Sequence, residues 1–314
     1  MGNWSHNENS ERGLANELSR YIYNLENDSK IHLPNLRHSN NLYIFSDYSN
    51  NKDQQLISYS LLLIDEMSFQ LFEGLQKNFW KQYFPDQRII DYKGLNDKIQ
   101  GKALVPFLQL CNNLNGLIIT ILFHRNTKSI FQNQVPDNLR GQIEIWKNKM
   151  VREKFLRLRE FILLILNGLG TNLQNVLWVT DNDEIIANSL QITTAKNILN
   201  ETLIKYLDFK IYGFDLKTPD IDLTDRCLEK LCSLADLTAG ALVDFLGDYH
   251  KENITPGEGE IAKPIAHEKL KVNPITNWLS KNEKENLLKK ITIKIIETDK
   301  GDLRAEYYRF PEIK

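Results

Sequence analysis

The sequence predicts an α/β fold, a sheet wrapped by helices, and three observations carry that expectation. The runs GLIITILF (116–123) and NVLWVT (175–180) are continuously apolar, as strands covered on both faces are. Segments with apolar residues at helical spacing alternate with them, notably Met67–Phe84 and Gln142–Leu169. Acidic residues fall where several of these strands end.

In chain order, residues 1–40 are polar, with a helix expected from Ser10 to Tyr23 and a connector at Leu33-Pro34-Asn35. Leu42-Tyr43-Ile44-Phe45 reads as a strand ending in Ser46-Asp47-Tyr48-Ser49. A turn at Asn50–Asp53 leads to a second strand, Gln55–Ile64. Phe69, Phe72, Leu75, Phe79, Trp80 and Tyr83 mark the helix that stops at Pro85. A short strand is expected at Arg88–Tyr92 and a helix at Leu95–Leu114. After the two buried strands, a last core strand is expected at Asp208–Phe214 and a Leu- and Ala-rich helix at Asp225–Leu246. Lys251–Val272, with Pro256-Gly257, Gly259 and Pro264, reads as a linker. A helix near Asn282–Lys290 and a hairpin of ITIKIIE and LRAEYYRF around Asp299–Asp302 close the chain. This divides the protein into an N-terminal helical arm (1–40), a core domain (41–250) and a linker with a C-terminal helix and hairpin (251–314).

With 314 residues, 42% of them hydrophobic and 25% charged, the chain is long enough to bury a core without staples. A formal net charge of −2 argues against nucleic-acid affinity resting on global positive charge, but leaves room for a local basic groove. Cys111, Cys227 and Cys232 form no C-x-x-C pair and read as buried free thiols of a reducing compartment. The first thirty residues lack an apolar signal core, and no run approaches the roughly 18 apolar residues of a membrane span. A cytoplasmic location without membrane contact is therefore expected. No Gly-rich phosphate loop, G-x-S-x-G elbow or His-Glu-x-x-His helix is present, which sets aside P-loop ATPases, α/β-hydrolases and the commonest metalloproteases.

The chemistry is expected from Asp47, Asp91, Asp181 with Asp183, and Asp236, each at a strand end or on a helix packed against the sheet. Carboxylates at the ends of several strands can converge at one edge although far apart in sequence. Hard cations such as Mg²⁺ or Mn²⁺ take oxygen ligands, and two of them about 4 Å apart stabilise both oxygens of an in-line phosphoryl displacement. Each position also has a plainer reading. Asp47 is a turn residue on that view, Asp91 a helix-start residue with Asp97 as its competitor, and 180–183 a polar loop. Asp236 is harder to set aside, because it lies in the apolar segment LADLTAG, with Ala239 and Gly240 on its own face. A second group, Lys149, Arg152 and Arg157 on a basic helix, together with Lys93, reads as a track for a nucleic-acid backbone or as a solvated face.

The pairing of FSDYSNN (45–51) with SLADLTAGALVDF (233–245) resembles a bacterial ribonuclease H-like family known as domain of unknown function 3800. Its members open with a strand ending in Asp-Glu-Ser-Gly and close with a helix reading roughly Leu-Gln-Leu-Ala-Asp-Leu-Leu-Ala-Gly. DYKGL (91–95) and LWVTDND (177–183) are similar to two further family segments, so the likeness spans about residues 41–246. The resemblance implies a ribonuclease H-like mixed sheet flanked by helices, and matches Asp47, Asp91, Asp181 and Asp236 to the family's acidic positions, with Lys93 beside the second. Tyr48, Asn50 and Asp91 stand where Glu, Gly and Glu are usual.

The leading expectation is a nuclease dependent on Mg²⁺ or Mn²⁺, cutting DNA or RNA. Its metal ligands would be Asp47, Asp181, Asp183 and Asp236, and Asp91 would complete the catalytic set. One alternative is a non-catalytic ribonuclease H-like module binding a protein or nucleic acid in a bacterial defence or mobile-element system, supported by Tyr48 and Asn50. Another is a metal-dependent phosphohydrolase of small nucleotides. The C-terminal hairpin offers an edge through which a protein partner or a second copy could pair.

Overall fold

The alternating apolar and helical segments build, in a computed structural model, one seven-stranded sheet with helices on both faces. The structure describes residues 2–6, 13–50, 55–127, 129, 137–181, 183–222, 225–251, 271–281, 285–298 and 303–310. Helix α1 (Gly13–Asn27) precedes strand β1 (Asn41–Ser49), which pairs antiparallel with β2 (Leu56–Asp65). Asp65 ends β2 and caps α2 (Glu66–Tyr83) by accepting the Ser68 N–H at 2.8 Å. The helix stops at Phe84, directly before Pro85. Asp97 caps α3 (Lys98–Cys111), and β3 (Gly116–His124) lies antiparallel to β2.

A single turn α4 (Asp137–Arg140) leads to α5 (Lys149–Leu169), β4 (Asn175–Thr180), α6 (Ser189–Tyr206) and β5 (Gly213–Lys217). Helices α7 (Cys227–Lys251) and α8 (Val272–Ser280) and strands β6 (Leu288–Glu297) and β7 (Leu303–Tyr307) complete the chain. The strand order is β5-β4-β1-β2-β3-β6-β7. Neighbours β1, β4 and β5 run parallel, as do β3 and β6, whereas β1-β2-β3 and β6-β7 are antiparallel.

Alternation along the strands divides the core into two layers. Leu42 and Ile44 of β1 and Leu61 and Leu63 of β2 pack with α1, α5 and α6, whereas Phe45, Leu62 and Ile64 pack with α2, α3, α7 and α8. Apolar groups are therefore wanted at successive positions, which explains the continuous runs of β3 and β4. Helix α7 comes close to the sheet over small residues. The Ser58 hydroxyl donates to the Ala239 carbonyl at 2.8 Å, and the Ser60 and Thr238 hydroxyls meet at 2.6 Å. The polar arm joins the α5 side through Trp4, Leu18 and Ile22, and the C-terminal hairpin continues the same sheet beyond β3.

Four local expectations are corrected. Arg88–Tyr92 forms no strand. The Asp91 N–H goes to the Gln100 side chain at 3.1 Å and the Tyr92 N–H to Asp236 at 2.6 Å, so side chains take the place of a neighbouring strand. The long helix over Gln142–Leu169 breaks at Trp146, whose extended backbone lets its buried indole donate to the Ile185 carbonyl at 2.7 Å. Asn148 then caps α5 afresh. The last parallel strand begins only at Gly213, because residues 207–212 return from α6, with Leu173 N–H on the Lys210 carbonyl and Tyr212 N–H on the Gln174 carbonyl. Leu288-Lys289-Lys290 open strand β6 rather than a helix. The helix before them is α8, whose Pro274 sits in the first turn, where its missing N–H costs nothing.

Residues 51–54, most of the expected linker (252–270), the start of the expected terminal helix (282–284) and the hairpin turn (299–302) lie outside the described residues. The cysteines are free and buried, and among the described residues no helix is long and apolar enough to cross a membrane.

Candidate acidic site at the sheet edge

Strands β1 and β4 run side by side with Ser46 opposite Thr180, so Asp47 and Asp181 follow in step. Phe45 and Val179 point to the α7 side, and two residues on Asp47 and Asp181 share that side. Asp236 comes from α7, which lies along β1 and β2. Asp91 and Lys93 come from the segment before α3. All of these, with Asp183, line one cavity of about 910 Å³, together with Glu229, Cys232, Asp244 and Lys271. The structure thus brings together the five acidic residues singled out in the sequence, and Lys93 with them.

The charges in this cavity work against one another. Burial pushes the Asp47 carboxyl well above the usual carboxylate range. The Asp236 and Asp181 charges, a hydrogen bond with Asp236 and the Asp183 charge push it further. Asp236 is also raised, chiefly by burial, and by the charges of Asp91 and Asp181. The Tyr92 N–H and the Asp47 hydrogen bond act in the opposite sense. Asp47 and Asp236 therefore titrate as one buried pair that resists carrying two negative charges at once. Asp183 is pushed up to about 6, mainly by burial and next by Glu184, although the Ile185 N–H donates to it at 2.8 Å and opposes the shift. Burial, followed by the charges of Asp181 and Asp47, holds the Cys232 thiol far above its ordinary range, so it is protonated and unreactive.

The donor set is carboxylate oxygen, the chemistry a hard divalent cation prefers. Among the described residues, however, no group of three or more His, Cys, Asp or Glu side chains is already arranged around a metal position. The site fits such an ion in its donors and its charge. Positive charge is what these buried, mutually repelling carboxylates lack.

The plainer reading suits Asp97 better than Asp91. Asp97 accepts the Ile99 and Gln100 N–H groups at 2.9 and 3.2 Å as the α3 cap, whereas Asp91 lines the cavity and accepts the Gly94 N–H at 2.8 Å. The basic residues of α5 are not gathered at the site. Lys149 is exposed, Arg152 is half-buried and donates to the Trp146 carbonyl at 2.5 Å, and Arg157 is only 4% exposed. Arg157 bonds Glu153 at 2.9 Å and lies 4.5 Å from the Phe123 ring centre. This corrects its placement on a surface track: its helical position faces the core. Tyr48, by alternation, packs on the α5 side, with Lys154 Nζ 3.7 Å from its ring centre, while Asn50 is at the cavity wall.

Sequence reasoning missed Tyr92, Asp244, Glu229 and Lys271. Asp236, Gly240 and Asp244 repeat at helical spacing, and that signal was legible. Lys271 reaches the cavity from beyond the undescribed stretch, and nothing local marks it. A comparison with protein-family models and with curated proteins finds no match to this chain.

Proposed function

We propose that the chain is a divalent-cation-dependent nuclease built on a ribonuclease H-like core. Three consecutive antiparallel strands, with β4 and β5 added in parallel to the free side of β1 and an acidic helix laid across β1, support that core. The observation that carries the activity is the convergence of Asp47, Asp181 and Asp236 on one cavity, at the open edge of the parallel strands. Ligands of α/β sheets bind at such edges.

In this reading Asp47, Asp181 and Asp236 hold a Mg²⁺ or Mn²⁺ ion, with Asp183 and Asp91 around them. A cation bound there would neutralise the clustered carboxylates and polarise a phosphoryl oxygen. Asp183, with its pKa near 6, can accept a proton close to neutral pH. Lys93 is exposed at the cavity wall, where its ammonium group can meet a neighbouring phosphate of DNA or RNA. The test is cleavage of labelled single- and double-stranded DNA and RNA with Mg²⁺, Mn²⁺ or EDTA, comparing wild type with Asp47→Asn and Asp236→Asn. Metal-dependent cutting lost in both variants supports the proposal. Cutting that survives EDTA or either substitution sinks it.

The volume of the cavity, about 910 Å³, favours a second reading, a phosphohydrolase of small nucleotides working through the same carboxylates. Nucleoside triphosphates in the same assay separate the two. Phosphate release without strand cleavage selects the second.

A further inference from the structure

Tyr92 touches α7 at three successive turns. Its N–H donates to Asp236 Oδ2 at 2.6 Å, its ring lies against Gly240, and its hydroxyl donates to Asp244 Oδ2 at 2.6 Å. Positions 236, 240 and 244 are four residues apart, so they form one row along the helix. A methyl group on residue 240 would stand 2.3 Å from Tyr92 Cδ1, so the row carries glycine where the ring must pass. Lys271 at the start of α8 donates to the Tyr92 carbonyl at 2.8 Å, and its ammonium lies 4.0 Å from the ring centre. N–H, carbonyl, ring and hydroxyl of this one residue are all engaged, in a segment with no strand beside it.

We propose that Tyr92 is a positioning residue. It clamps the segment carrying Asp91 and Lys93 onto α7, fixes the Asp236 carboxylate toward the cavity, and is latched by Lys271 from the C-terminal region. The effect on cleavage rests on the nuclease reading, whereas the clamp itself does not. A charge-assisted N–H bond fixes which carboxylate oxygen of Asp236 remains open to the cavity. The hydroxyl at the far end then keeps the segment from swinging about that single bond.

The full chain is compared with Tyr92→Phe, Gly240→Ala, Asp244→Asn and Asp244→Ala by hydrogen exchange, Mn²⁺ titration calorimetry and steady-state cleavage. Tyr92→Phe and Gly240→Ala are expected to speed amide exchange over residues 88–96 while α2 and β1 stay protected. They should also weaken Mn²⁺ binding and lower kcat about tenfold with KM little changed, as loss of positioning does. Asp244→Asn, which still accepts from the hydroxyl, should leave exchange at 88–96 slow, and Asp244→Ala should speed it. The clamp is overturned if 88–96 exchanges as in wild type in both Tyr92→Phe and Gly240→Ala, or if kcat falls only in proportion to the folded fraction. Absence of any cleavage by wild type would remove the nuclease reading, and the exchange data would still decide the clamp.

Discussion

The two faces of the sheet treat buried charge in opposite ways. On the α5 face, Arg157 bonds Glu153, Arg159 bonds Glu160, and Lys154 bonds Glu184, so the cations under that layer meet carboxylates. On the α7 face, at the ends of β1 and β4, the strongest influences on Asp47 beyond burial are other aspartates. Opposite charges brought together settle their own electrostatics, and breaking one such pair strands a charge. Like charges held together cost stability, and a fold keeps them where positive charge arrives from outside the chain. The first arrangement serves the fold, and on the proposed reading the second serves a cation.

Asparagine at position 47 or 236 gives the widest separation between the faces. If the proposed nuclease reading holds, either substitution should lower metal-dependent cleavage on the order of 10²-fold or more, since it would remove charge acting in the transition state. The same change relieves repulsion, so thermal melting without metal should move upward. Cleavage rates and melting curves on one preparation check both, and a variant that loses activity and stability together breaks the contrast. On the opposite face, Glu153→Ala leaves Arg157 buried without its partner and should cost about 3 kcal/mol, read from urea unfolding. Its folded fraction should cleave at the wild-type rate.

Much of this contrast was legible in the sequence, for a definite reason. Period-two and continuous apolar patterns identify strands whatever their neighbours, so β1 to β4 were found close to their true limits. Convergence at the ends of parallel strands groups Asp47 with Asp181, and the small-residue face of the late helix adds Asp236, before any geometry is known. What escaped depends on partners distant in sequence. Arg88–Tyr92 has a strand-like composition, but Asp236, 144 residues from Tyr92, takes the hydrogen bond a strand would need. Arg157 looks like a surface cation until Glu153 and the Phe123 ring are seen to enclose it. Helix α6 was passed over although Ala195, Ile198, Leu199, Thr202 and Leu203 are buried at helical spacing, because polar residues dilute that stripe.

The pH dependence of stability sharpens the contrast further. Asp183 is raised to about 6 in the folded chain and titrates near 4 when unfolded, so the native state binds the extra proton between those values. Stability without metal should therefore fall as pH rises from about 4 through about 6, and Asp47, also raised well above the usual carboxylate range, adds to that decline. Asp215 is lowered by its bond with Lys196 and so contributes stability that is complete above pH 4, outside this window. Melting temperatures from pH 5 to 8 should decline in EDTA and recover with Mn²⁺, most at the higher pH, where the ion meets least competition from protons. A profile that rises over this range in EDTA would remove the repulsive cluster as its cause.

The smallest expected effect separates the two aspartates that compete for one role. Asp97 accepts two N–H groups at the start of α3 and is exposed, so Asp97→Ala should cost about 1 kcal/mol in urea unfolding and leave the cleavage rate per folded molecule unchanged. Asp91 faces the cavity and accepts the Gly94 N–H of the short turn before α3, so Asp91→Asn, which keeps an acceptor there, should cost little stability while lowering cleavage. Both residues lie within one short acidic stretch, and only the backbone path between them assigns one to a helix start and the other to the cavity. If Asp97→Ala were the variant that lost activity, the cavity wall would have to be redrawn around the α3 terminus, and the division between charges that serve the fold and charges that serve a ligand would fail at its nearest point of contact.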